Sequence, residues 1–383
     1  RSKRPHRDPD MKNPSPKLPR LFRRALAMGV AASLLASCST LNYYTQAAQG
    51  QLELLSDARP IDDWLADPAT NTSLRHRLEA ARQIRRFAVQ QMGLPDNDSY
   101  KNYAALKRQD VLWNVVATPE LSLKPLQWCF PVAGCVNYRG YYSKDEAHAY
   151  ANELRAQGRD VEVGGVSAYS TLGWFSDPLI STFINYPDAE LARLIFHELA
   201  HQVTYVQGDS RFNESFASAV EEAGVELWLE RYGNPAMREG YARYSVRRKD
   251  FLALLLKYRK ELERTYAAIV PDEQKRIGKA RLFIALKEEY QVLKANWGGY
   301  AGYDRFFAEP LSNAHLASIA TYNDYVPAFR AMLRKEKSFG AFYRKVNRLA
   351  KLDKTERQQA LRLIDVASPP ANFMVQRTNT AMP

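Results

Sequence analysis

The chain of 383 residues lacks any apolar run of the ~18 residues that a membrane-spanning helix requires, which excludes a polytopic membrane protein. It has no internal repeat and no low-complexity tract. Hydrophobic residues make up 46% and charged residues 25%, values of a globular chain with a sizeable core rather than a disordered or collagen-like one. Also missing is any Lys/Arg cluster interleaved with stacking aromatics. The formal net charge of +12 therefore does not imply a nucleic-acid partner. Its location explains it better. Residues 1–37 hold nine of the 54 basic residues and two of the 42 acidic ones, so most of the excess lies in the leader. Beyond residue 37 the two signs are nearly balanced and mixed along presumed helix faces.

Cysteine is scarce, with three in the chain, and each has a reading. Arg20, Arg23 and Arg24 precede the apolar run Ala25–Ala36, a charged segment followed by a stretch too short to span a bilayer. The run ends Leu35-Ala36-Ser37-Cys38, which resembles the bacterial lipobox, where the Cys is diacylated and becomes the first residue after cleavage. Acyl chains on Cys38 give stable anchoring. Ser39 rather than Asp follows it, which by resemblance to lipoprotein sorting favours the periplasmic face of an outer membrane. The natural start is expected at Met11, with residues 1–37 an extension and signal peptide that are removed. Cys129 and Cys135 flank Pro131 and Gly134 between strand-like aromatics, and are expected as a disulfide across a hairpin.

The rest, residues 38–383, reads as one α-rich domain with a small mixed β-sheet, an α+β class. Residues 39–110 read as helical, with Leu41, Tyr44, Ala48, Leu52 and Leu55 forming one stripe and a helix over 74–92 ended by Gly93 and Pro95. Strands are expected around 111–117, 126–130, 136–142 and 160–163. Ser143–Glu146 has the form of a capping box. From Asp188 on, helices are expected over 188–207, 213–231, 239–266, 272–295, 322–334, 337–350 and 354–365, and 368–383 as a surface tail.

The chemistry concentrates in Leu194–Val203, which contains His197-Glu198-Leu-Ala-His201. At 3.6 residues per turn the two histidines share a helix face one turn apart, so both imidazoles reach one ion. Glu198 sits beside that face, where a carboxylate can hydrogen-bond a water on the metal. Zn²⁺ leaves such a position open and lowers the pKa of the water to near 7. Phe212-Asn213-Glu214 opens the next helix, 13 residues past His201, and Gly208–Ser210 supplies the turn that returns Glu214 toward the histidines.

This resembles the gluzincin arrangement, in which the Glu of the Asn-Glu pair is the third ligand, here to one Zn²⁺ per chain. The acid of that pattern four residues further on is replaced by Ser218. Glu221, seven residues after Glu214, is then a candidate to orient His197, and equally a candidate substrate-binding residue for a free α-ammonium, with Glu222 and Asp177 as alternatives.

The whole chain resembles the bacterial lipoproteins described as predicted aminopeptidases. The resemblance is carried by the lipobox, Leu41–Tyr44, Gln46–Gln51, Ala168–Pro178, the His-Glu-Leu-Ala-His run, Phe212–Ala217, Asn313–Leu316 and Tyr322–Phe329. It implies a zincin-like, membrane-anchored zinc aminopeptidase acting on peptides, with Glu198 as general base. An endopeptidase clearing misfolded envelope proteins and a non-catalytic envelope-binding lipoprotein are the alternatives. Backbone groups of Gly165–Ser170 are candidates to pair with an extended peptide, with Tyr169 and Trp174 as substrate contacts and Phe175 a further wall; a structural turn with packed aromatics is the other reading. Tyr322, with His315 behind it, is the candidate donor to the oxyanion of the tetrahedral intermediate.

Overall fold

The computed structural model describes residues 41–130, 134–168, 170, 171, 173–317, 319 and 325–366. Cys38, Tyr169 and Tyr322 lie outside the described residues, as do the leader and the segment 367–383. The chain divides into two compact units, Arg1–Gln49 and Gly50–Pro383. In the first, residues 41–49 are helical, with Leu41 and Tyr44 exposed. The second opens with helix α1 (50–56), where Leu52 is exposed and Leu54 is buried. The stripe from Leu41 to Leu55 is therefore not a buried face.

The second unit is mostly helical with small sheets, an α+β arrangement. Among the described residues the single mixed sheet expected from the sequence is instead three small ones. Strands β1 (Ala58–Pro60), β2 (Asn102–Ala104) and β8 (Leu179–Ile180) form a mixed sheet in the order β1-β2-β8. Strand β3 (Leu112–Pro119) is the centre of an antiparallel sheet, flanked by β6 (Arg139–Tyr141) and β7 (Arg159–Val166). Strands β4 (Trp128–Phe130) and β5 (Gly134–Val136) make a hairpin in which Cys129 faces Cys135, and the two are disulfide-bonded.

Helix α2 (Ile61–Ala66) precedes α3 (Thr72–Met92), which starts on an Asn71 side-chain cap and stops at Gly93 with φ +63, a left-handed cap that suits glycine. The chain beyond it is not helical, contrary to the reading of 39–110. Buried Arg85 explains why: its guanidinium donates to the carbonyls of Pro95, Asn97 and Ser99, giving the loop backbone the partners a helix would otherwise supply. Helix α4 (Lys144–Ala156) begins where Ser143 Oγ accepts from the Glu146 amide.

Helices α5 (Asp188–His201) and α6 (Ser210–Tyr232) lie in the main core. Arg77 of α3 ion-pairs with Asp188 in the first turn of α5 and donates to the carbonyls of Ile184 and Tyr186, which fixes where α5 begins. Gly224 allows α6 to close on its neighbours, since a Cβ there would lie 2.3 Å from Met92 and 2.7 Å from Phe196. Helices α7 (Pro235–Ala267) and α8 (Asp272–Asn296) carry a second apolar cluster built on Phe251, Leu262, Leu286 and Tyr290. The short α9 (Asn313–Ala317) packs on β3 and β7, and α10 (Val326–Glu336), α11 (Phe339–Ala350) and α12 (Lys354–Val366) complete the unit.

Candidate metal centre

The run Leu191–Leu199 is apolar except for Arg193, His197 and Glu198, so α5 buries one side and turns a polar strip toward α6. The helix ends at His201, earlier than the expected 207. Two side-chain locks account for this. The Gln202 amide is held by Asn97 at 2.6 Å and Ser99 at 3.2 Å. Buried Asn213 accepts from the Val206 amide at 2.8 Å and donates to its carbonyl at 2.9 Å. That pair of bonds replaces helical ones and closes the turn 202–209. Asp209 then caps α6 by accepting from the Phe212 amide, and its other oxygen is gripped by Arg357 of α12 at 2.7 Å, both side chains being buried.

The closed turn carries Glu214 back over the histidines. His197 Nε2 and His201 Nε2 are 3.2 Å apart, and Glu214 oxygens lie 3.3 Å from the first and 3.7 Å from the second. Four ligands about one ion at ~2.1 Å, tetrahedrally arranged, stand about 3.4 Å from one another, so these separations suit a single metal ion. Two imidazole nitrogens and a carboxylate converging in a half-buried space are a cation's donor set. His201 Nδ1 is buried with no hydrogen-bond partner among the described residues.

Behind His197 stands Glu221, which is 0 % exposed. Its Oε2 lies 2.8 Å from His197 Nδ1 and 3.0 Å from Arg193 Nη1, and its Oε1 lies 3.3 Å from Arg248 Nη1. An ionised carboxylate only accepts, so His197 donates from Nδ1, and Nε2 is the atom that faces the cluster and would give up its proton to a bound cation. Burial would raise the Glu221 carboxyl, but Arg193 and His197 outweigh it and hold the group at about 2. With three partners and no exposure, Glu221 has the surroundings of a residue that orients His197, the second of the two roles expected for it. Asp177 is also engaged, accepting from the Thr171 amide and hydroxyl and from Ser170.

Glu198 is half-buried beside the cluster, and its carboxylate makes no hydrogen bond among the described residues. Burial, with the charges of Glu214 and Asp177 adding to it against His197, pushes its carboxyl up to about 7. Burial lowers His201 to about 4, while in His197 the hydrogen bonds to Glu214 and Glu221 overcome burial and raise it to about 10.

Other expected site residues fall elsewhere. Trp174 is 70 % exposed and Phe175 is exposed too. Their loop does lie by the end of α5, since a Cβ on Gly173 would meet the Gln202 side chain. Gly165 and Val166 are paired with β3 on one side of β7, which is the edge strand of its sheet, and the Ser167 carbonyl accepts from Thr182. His315 is buried, with Nδ1 accepting from the Ser312 amide.

Sequence reasoning missed Arg193, Arg248 and Tyr205. Arg193 is four residues before His197, on the same helix face, and that spacing was a usable signal. Tyr205 follows His201 by four, and its ring lies 6.4 Å from that of His201. Arg248 comes from a different helix and leaves no local trace.

A buried His-His-Glu cluster suited to one metal ion, with a carboxylate beside it, defines a candidate hydrolytic centre. The chain belongs to the family described as "Putative aminopeptidase", which matches residues 42–361 and so covers both helices of the centre. No curated protein and no solved structure matches it.

Proposed function

We propose that the protein is a zinc-dependent aminopeptidase with a zincin-like core, tethered to the periplasmic face of a bacterial outer membrane through lipidated Cys38. The observation that carries the reading is the convergence of His197, His201 and Glu214 with Glu198 alongside, in a chain of this family. Zinc held by the three would supply Lewis acidity and activate water at neutral pH. Glu198 takes the proton of the attacking water on its carboxylate and passes it to the leaving amine. Glu221 keeps His197 in one tautomer, and Arg193 and Arg248 keep Glu221 ionised.

One observation favours the endopeptidase alternative. Both Glu221 and Asp177, two of the carboxylates considered for the α-ammonium, are engaged within the protein. Cleavage of one peptide with a free and with an acetylated N-terminus decides between the two. An aminopeptidase cleaves the free form and leaves the acetylated one intact; equal rates establish the endopeptidase. The tether is read from the lipobox, and acyl-chain labelling tests it: Cys38→Ser should lose the label, and labelling equal to wild type contradicts the anchor.

A further inference from the structure

A cavity of about 440 Å³ lies between the outer edge of β7 and the segment from Gly302 to His315. None of the metal-cluster residues lines it. One wall is aromatic. Phe251 stacks on Tyr303 at 4.0 Å between ring centres, Phe306 stands edge-on to Phe251 at 5.4 Å, and buried Trp113 closes the side formed by β3. The floor is β7, where Glu162 and Gly164 share a face and Gly164 leaves the space above the strand open except for the Glu162 carboxylate itself.

Glu162 is the anomaly. Among the described residues its carboxylate accepts no hydrogen bond and forms no ion pair. Other charges around the cavity do not serve it. Arg305 is committed to Asp110 at 2.7 Å, Lys144 is exposed at the start of α4, and Glu309 is an exposed carboxylate of the same sign. His315 faces it, with Nδ1 accepting from the Ser312 amide, and His148 lines the cavity as well; neither forms a hydrogen bond or ion pair with Glu162 among the described residues. Burial, opposed by His315 and assisted by Glu309, pushes the Glu162 carboxyl above its ordinary range. A half-buried carboxylate that no protein cation holds among the described residues, opening into a cavity beside ring faces, is a ready counter-ion for a bound cation.

We infer that this cavity binds a small organic amine of about amino-acid size, its ammonium on Glu162 and its apolar body against Phe251, Tyr303, Phe306 and Trp113. A carboxylate supplies the counter-ion and ring faces attract the cation as well as the apolar part. The volume falls in the range of small-molecule sites, roughly 300–1,000 Å³. The inference is independent of the peptidase reading, because it uses no residue of the metal cluster.

Calorimetric titration of the whole protein with phenylalaninamide tests it, with N-acetylphenylalaninamide as the uncharged control. In the zinc-chelated protein the free amine should bind at one site per chain, a site that persists when zinc is loaded beside any binding at the metal cluster, and the acetylated control should not bind. Glu162→Gln should weaken binding at least tenfold. Because Glu162 has no partner to lose, the same variant should keep or raise the unfolding midpoint, which separates loss of ligand from loss of fold. Three results overturn the inference: no binding at millimolar amine, equal binding by Glu162→Gln, or binding abolished by chelation, which would assign it to the metal cluster.

Discussion

At the scale of single residues, Glu198 and Glu221 are two carboxylates that both act on His197 from opposite environments. Among the described residues the Glu198 carboxyl has no hydrogen-bond partner, and burial pushes it up to about 7. Glu221 is locked by two arginines and a histidine and stays ionised. The first is suited to moving a proton and the second to holding a ring still. Substitution by glutamine should separate them. Glu198→Gln should keep its zinc and lose turnover by at least ~10²-fold, because an amide cannot accept the proton. Glu221→Gln should weaken zinc binding by about 10–100-fold and reduce cleavage of every substrate by the same factor. Zinc titration and steady-state kinetics on the two variants check this. If Glu221→Gln only raised KM for free-amine peptides, the orienting role would be wrong and the ammonium role restored.

At the scale of elements, the centre depends on the turn between α5 and α6 more than on either helix. Asn213 closes that turn onto Val206, and Asp209 starts α6 while paired with Arg357 of a helix almost 150 residues away. Removing one partner of a buried ion pair leaves the other charge uncompensated, at a cost of about 3–5 kcal/mol. Arg357→Leu should therefore lower unfolding stability by that order in denaturant titration, and an unchanged midpoint would show that the pair carries nothing. The helices themselves were readable. Ser210–Tyr232, Pro235–Ala267 and Asp272–Asn296 lie close to the ranges read from periodicity and Gly/Pro breaks, because those signals are local. The loop 93–101 and the early end of α5 were not. Both are set by side chains reaching across the fold, Arg85 in one case and Asn97 with Asn213 in the other.

At the scale of the whole molecule, the convergence of His197, His201 and Glu214 is legible in the sequence because four-residue spacing and a short return loop bring them together. The clamp behind them is not. Arg248 reaches Glu221 from α7, whose outer part belongs to a second apolar cluster shared with α8. The same α7 lends Phe251 to the cavity over β7, so one long helix borders both the metal cluster and the amine cavity. The central claim is that the cluster binds zinc through three protein ligands. Metal analysis of the purified protein beside its Glu214→Ala variant tests this most directly. The account predicts one zinc per wild-type chain and a large loss in the variant, since two histidines leave too few ligands. A wild-type chain without zinc, or a Glu214→Ala chain that keeps its full complement, would contradict it.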